Sequence, residues 1–158
     1  GTQISEFNST SVKTISSFGF YYVSTLEKCN TPNVTNISGN GAFTNCTNLK
    51  KINFPNNSNG VGTNCFNSCT SLEYANIGEC TWISSNAFAN CSNLEALIIT
   101  RTKTVPSLSN TNAFSGSAIA NGTGFVYVAD NLYEKYLTYP ILEKYIVPTY
   151  IYLLEKKH

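Results

Sequence analysis

The chain contains 158 residues, of which 12% are charged, and its formal net charge is +1. A chain of this length suits one domain with a sizeable core. It has no basic run that could follow a nucleic-acid backbone, and no stretch of about 18 apolar residues that could span a bilayer. We therefore exclude a basic nucleic-acid-binding protein and a helical membrane protein, and we expect no nucleic acid partner and no membrane insertion.

The N-terminal residues, 1–19, are expected to form a lead-in or cap ahead of a series of repeats. Positions 1–14 are mostly polar and share no phase with those repeats. The chain starts with Gly1-Thr-Gln-Ile4 and lacks a charged segment followed by an apolar one. If the protein has a signal peptide, we expect it to have been removed before this numbering begins.

Residues 20–124 repeat one motif: a small residue, Phe, two variable residues, Cys, one variable residue, Asn or Ser, and Leu. Phe43, Phe66 and Phe88 are separated by 23 and 22 residues. A degraded copy precedes them, and a last copy follows in which Ser117 takes the Cys position and the Leu is lost. The predicted core columns are Phe20, Phe43, Phe66, Phe88 and Phe114; Cys46, Cys69 and Cys91; and Leu26, Leu49, Leu72 and Leu94.

A period of 20–29 residues with Leu-x-x-apolar-x-apolar is typical of leucine-rich repeats, in which a short strand alternates with a helix or turn. Because side chains of a strand alternate between two faces, we expect an inward column. Its predicted members are Ile52, Phe54, Ala75, Ile77, Leu97 and Ile99. Stacked coils bury such a column together. The sequence therefore predicts an α/β repeat fold, a leucine-rich-repeat solenoid of about five coils with short parallel strands.

Residues 125–158 are predicted to form a C-terminal strand-plus-helix cap. Phe125–Ala129 reads as a strand. Asp130 is expected to cap a helix over Leu132, Tyr133, Tyr136 and Leu137 that ends at Pro140. We predict a second short helix at Ile141–Ile146 and a terminal strand at Thr149–Leu154. Together, these boundaries describe one leucine-rich-repeat domain over 1–158.

The outward strand residues are the candidate contact surface, because a solenoid leaves this face open. They are Lys28, Asn30, Lys51, Asn53, Tyr74, Asn76 and Ile98. Aromatic residues often dominate binding energy, so Tyr74 is the first candidate. The alternative interpretation is that the asparagines only form a hydrogen-bonded ladder between coils.

The sequence offers no constellation for catalysis, a metal or a cofactor. Five of the six cysteines occupy apolar or repeat-consensus positions, and we interpret the cysteines as core thiols. Cys65 and Cys69 are the one close pair, without the second pair or histidine that a zinc site needs. The single histidine is His158, at the C-terminal end, so no Cys–His or Ser–His relay is available. We predict a non-enzymatic protein.

The repeat closely resembles the BspA-type (treponemal) leucine-rich repeats, as in Ala42-Phe43, Cys46, Asn48-Leu49 and Ile52. The segment from Thr104 to Asp130 is similar to the closing coil and cap of such arrays in gut bacteria. The resemblance implies a curved, right-handed solenoid. It also implies a protein-binding or adhesion module of a cell-surface or secreted bacterial protein, without catalytic residues.

The partner that the resemblance implies is another protein, from the host, the matrix or a bacterial surface. The alternatives are a structural spacer and a phage-associated structural protein, neither with a ligand of its own. We expect a monomer, with self-stacking of the open solenoid into a dimer as the alternative.

Overall fold

The computed structural model describes residues 3–139, 143 and 145–148. Among these residues, each repeat contributes one short strand to a main sheet, and two further strands form a second sheet. In chain order they are β1 (Glu6–Asn8), β2 (Lys28–Asn30), β3 (Lys51–Asn53), β4 (Tyr74–Asn76), β5 (Trp82–Ile83), β6 (Ala96–Ile99), β7 (Ser107–Leu108), β8 (Phe125–Val128) and β9 (Ile146–Pro148).

Seven of these strands form one parallel sheet in the order β1-β2-β3-β4-β6-β8-β9, and β5 pairs with β7 in a second parallel sheet. Two single bridges, Ile37 to Val61 and Val61 to Ile83, extend this second set of pairings to earlier coils. The predicted leucine-rich-repeat solenoid with short parallel strands is confirmed, with about six turns rather than five. Strand β1 lies within the predicted lead-in, 1–19, so that segment already carries part of the sheet.

The inward columns lie where the alternation predicts them. In-register pairing places Ile52 beside Ala75, Ala75 beside Leu97, and Leu97 beside Val126. All four side chains are fully buried. Because parallel pairing in register keeps one repeat position in one column, each coil covers the inner face of its neighbours.

The phenylalanine column forms a continuous stack through the core. Successive rings from Phe20 to Phe88 are 5.1–5.2 Å apart at their centroids and within 12° of parallel. Phe114 extends the stack at 5.7 Å. At the other end Phe7, from β1, meets the ring of Phe20 edge-on at 5.1 Å. All five phenylalanines of the column are buried.

The segments around the phenylalanines are turns rather than helices, and they bond from coil to coil. The backbone N–H of Phe43 donates to the carbonyl of Cys65 at 2.7 Å, and that of Phe66 donates to Ala87 at 2.8 Å. Helical structure in the described part of the chain is short: α1 (Tyr133–Tyr136) and the 3-10 turns Thr111–Phe114 and Asp130–Leu132. No helix there is long and apolar enough to cross a membrane.

The cysteines are buried free thiols, as their positions predict. The Sγ atoms of Cys46, Cys69 and Cys91 each donate to the carbonyl of the phenylalanine one coil earlier, at 3.1 Å. The column therefore joins coils through hydrogen bonds as well as through apolar contact. Desolvation by burial raises the pKa of Cys46 from 9.0 to about 12, and that of Cys29 to about 11.

The C-terminal segment agrees with the prediction in part. The predicted strand is confirmed as Phe125–Val128, and Leu132 and Tyr136 are buried by the turn and helix that follow. Asp130 does not cap this helix: it lies inside the 3-10 turn, and neither helical start has a side-chain cap. The predicted second helix extends to Ile146, but Ile146 is the first residue of strand β9, so this part of the prediction is wrong. Pro140 and the predicted strand Thr149–Leu154 lie outside the described residues.

Replacing Phe66 with alanine should reduce the free energy of unfolding by about 3–5 kcal/mol. Its ring is fully buried between two stacked neighbours, so truncation leaves a cavity in the middle of the column. Chemical denaturation of both proteins measures the difference. Phe125→Ala is the control, because that ring is 39% exposed and should cost far less. Equal losses for the two variants would contradict the assigned stack.

Stability should fall steeply as the pH rises above 9.0, because the folded thiols keep their protons while the unfolded ones lose them. Once the pH is well above 9.0, each thiol that is protected in this way lowers the free energy of unfolding by about 1.4 kcal/mol per pH unit. The stabilisation is therefore complete below pH 9.0 and disappears as the pH approaches 11–12. Urea unfolding between pH 8 and pH 10 measures the slope.

The matched variant is Cys29→Ile/Cys65→Ala, which places at both positions residues that other coils already carry, Ile52 and Ala42. Burial raises the pKa of both thiols, so between pH 8 and pH 10 the unfolding free energy of the variant should fall by about 2.8 kcal/mol less than that of the parent chain, about 1.4 kcal/mol for each thiol removed. An unchanged slope would show that these thiols ionise equally in both states.

Candidate interaction surface

The outward side chains of the sheet form columns across the coils. Pairing aligns Lys28 with Lys51, Lys51 with Tyr74, and Tyr74 with Ala96. The next outward column aligns Asn53 with Asn76, and Asn76 with Ile98. The structure therefore brings the predicted face residues onto one side of the sheet.

The part of this face on β2 and β3 is concave. A groove of about 470 Å³ lies there, between the outward side chains of the two strands. Its lining residues are Glu27, Lys28, Cys29, Asn30, Pro32, Lys50, Lys51 and Asn53. Lys28, Lys51, Asn30 and Asn53 are exposed, so four of the predicted contact residues line an open groove. Three lysines against one glutamate give the groove an excess of positive charge.

Lys51 links the groove to Tyr74. Its Nζ lies 4.8 Å from the centroid of the Tyr74 ring, within the range of a cation–π interaction. At an exposed site such a contact contributes about 0.5–1 kcal/mol. It holds a cation and an aromatic ring side by side at the edge of the groove.

Ile98 does not belong to the open part of this face. It is 5% exposed and forms a second apolar cluster with Ala96 and Tyr127, against which Tyr74 and Val147 pack. The reason is that β8 and β9 continue the sheet and bring the outward side chains Tyr127 and Val147 alongside it. Residues 125–158 are predicted from the sequence as a separate cap, and this prediction does not include the continuation of the sheet into them. Aligning Phe125–Val128 with Ala96–Ile99 would have placed Tyr127 beside Ile98.

The asparagine column contacts its own coil rather than the next. The Oδ1 atom of Asn76 accepts from the backbone N–H of Gly78 at 3.0 Å, and Asn8 donates to Glu6 within β1. Among the described residues, no side-chain hydrogen bond joins two asparagines of this column. On the turn side, a hydrogen bond does join asparagines of two coils: Asn90 donates to Asn67 at 3.3 Å.

The described part of the chain shows neither a cluster that could hold a metal ion nor a cysteine with a lowered pKa. Within the described ranges, no group of three or more His, Cys, Asp or Glu side chains could hold a metal ion. A cysteine acts as a nucleophile as the thiolate, whereas burial raises the pKa of Cys91 to about 12. The open groove instead presents ammonium groups, amides and, at its edge, one aromatic ring.

The family of the chain follows from its repeats. The family described as BspA type leucine rich repeat region matches residues 2–123, in six copies. No curated protein and no solved structure matches the chain in the corresponding comparisons. The match begins ahead of Phe20, in agreement with the additional strand β1, and the fold is one that generally binds other proteins without catalysis. The chain belongs to the BspA-type leucine-rich repeat family.

Proposed function

We propose that this chain is a non-enzymatic protein-binding module whose contact surface is the groove on β2 and β3 together with Tyr74. The observation that carries the proposal is the groove itself. It is lined by outward lysine and asparagine side chains, and Lys51 places the Tyr74 ring at its edge. The lysine and asparagine side chains are exposed and lie outside the buried core, so the groove is open to a partner.

The groove favours a partner segment that carries carboxylates. Lys28, Lys50 and Lys51 face it against the single Glu27, so an acidic segment is attracted to it and a basic one is repelled. Tyr74 adds a rigid ring with an apolar body, the kind of residue that often carries binding energy. Binding of this type weakens as salt is added, because exposed charges are screened.

We further propose that the module acts in adhesion, in a surface-exposed or secreted protein that contacts host, matrix or bacterial surface proteins. Family membership supports this, since BspA-type leucine-rich repeat proteins are typically surface or secreted. Antibody labelling of intact source cells, with permeabilised cells as the control, tests the location. Signal confined to permeabilised cells would remove adhesion from the proposal.

The contact surface is tested by the double variant Lys51→Ala/Tyr74→Ala. Its affinity for immobilised extracellular-matrix proteins and for washed bacterial surfaces should fall on the order of 30-fold or more, since truncating a hot spot costs 2 kcal/mol or more. Biolayer interferometry of both proteins at two salt concentrations measures the loss and its electrostatic share. Circular dichroism checks that the variant is folded.

Lys103→Ala is the matched control, because this lysine is exposed and does not line the groove. It should bind like the parent chain. The charge reversal Lys28→Glu/Lys51→Glu leaves the core untouched and should also abolish binding. If both face variants bind like the parent chain, the sheet face is not the contact surface, and a spacer without a ligand becomes the better description.

A further inference from the structure

The coil that contains Phe20, called the first coil below, carries an exposed aromatic cluster on its turn side, away from the strands. Phe18, Tyr21 and Tyr22 are 60%, 47% and 62% exposed. The rings of Phe18 and Tyr21 meet edge-on at 5.2 Å, and those of Tyr21 and Tyr22 at 4.5 Å. Most of their surface faces solvent, so burial in the core does not account for them.

Two of these residues occupy backbone positions that disfavour them. Phe18 and Tyr22 both have φ near 59°, in the left-handed region, where a side chain with Cβ is strained. Most later coils have the same conformation at the same two repeat positions, and there the chain uses mainly glycine and asparagine, which tolerate it. Gly41, Asn64 and Asn86 match Phe18, whereas Asn45, Ser68, Asn90 and Gly116 match Tyr22. Ser68 is small, so among the described coils only the first holds large aromatic side chains in this strained backbone.

The cluster forms one wall of a groove of about 430 Å³. The other lining residues are Asn40, Gly41, Thr44, Asn45, Thr63, Asn64 and Asn67. Every one of these lining residues is uncharged. The ring of Phe18 lies against Gly41, where an added Cβ would come within 3.0 Å of it. One side of that ring therefore packs against the backbone of the next coil, at the edge of the groove.

The groove also contains amide groups that the protein leaves unused. Within the described part of the chain, the side chains of Asn40 and Asn45 make no hydrogen bond, whereas the amide of Asn67 donates to that of Asn64 at 3.3 Å. Amides at the surface of a groove can both donate and accept hydrogen bonds. Aromatic walls with a few polar groups are characteristic of small-molecule sites.

We propose that this groove binds a neutral glycan. The electron-rich face of an aromatic ring attracts the weakly positive C–H groups on the flat side of a sugar ring. Neutral amides and hydroxyls match sugar hydroxyls in both hydrogen-bonding roles. An uncharged lining suits a ligand without charge, and it lacks the lysines and arginines that attract an anionic membrane surface. This site is separate from the protein-binding face and does not depend on it.

Affinity electrophoresis in native gels that contain a neutral polysaccharide tests the proposal. The probes are a β-glucan, an α-glucan, a galactomannan and a xyloglucan. At least one of them should slow the migration of the parent chain. Phe18→Asn/Tyr22→Asn should remove that retardation, and Tyr21→Ala should weaken it. Tyr74→Ala, on the sheet face, should migrate like the parent chain, which keeps this test independent of the protein-binding surface.

The asparagine variant has a second readout. Because asparagine tolerates the left-handed region, Phe18→Asn/Tyr22→Asn should melt at the same temperature as the parent chain or higher. A clear fall in its melting temperature would mean that the aromatic cluster supports coil packing, and would overturn the proposal. So would the absence of retardation by all four polysaccharides, cluster-dependent binding to phosphatidylcholine vesicles instead, or a dimer in size-exclusion chromatography that this variant abolishes.

Discussion

The stacking of one coil on the next, in register, is the constraint on which the rest of this structure depends. A single coil has too little inner surface to bury by itself, so its phenylalanine, leucine and cysteine side chains are covered only when neighbours align. The ring stack from Phe20 to Phe114 and the thiol-to-carbonyl bonds of Cys46, Cys69 and Cys91 occupy this shared interior. An error of register would displace both columns together. The fold is therefore specified by a few positions per repeat.

Because only a few positions per repeat specify the fold, the outward positions can vary, and the two ends of the sheet differ in the residues that they carry there. On β2 and β3 the outward residues are lysines and asparagines around an open groove. On β6 and β8 the same columns hold Ala96, Ile98 and Tyr127, which cover one another. The same backbone thus presents a polar groove at one end and a sealed apolar patch at the other. Tyr74 lies at the junction, in contact with both through Lys51 and the cluster.

The inner columns could be predicted from the sequence because the period fixes them, whereas features that lack the period could not. Ile52, Ala75 and Leu97 follow directly from the alternation of a strand after each leucine. Strand β1 lacks the Cys and Leu of the motif. The only indication of it in the sequence is that Phe7 lies about one repeat length before Cys29, with which it pairs in the sheet. The burial of Ile98 depends on Tyr127, its partner in β8, which follows the repeat copy that has lost the Leu of the motif. Local pattern determines which face a residue occupies, but its exposure depends on what the neighbouring coils carry.

The same reasoning shows where function is expected to depart from the repeat. In a solenoid each coil supplies a comparison for the others, so an unfavourable choice in one coil can be recognised against the favourable choice at the same position elsewhere. Left-handed backbone at Asn45 and Asn90 costs little, while the same backbone at Tyr22 strains an aromatic residue that is mostly exposed. Local strain that packing does not repay is often found at binding sites. Tyr22 and Phe18 therefore mark the first coil as the place where selection for a ligand, rather than for the stack, best explains the side chains present.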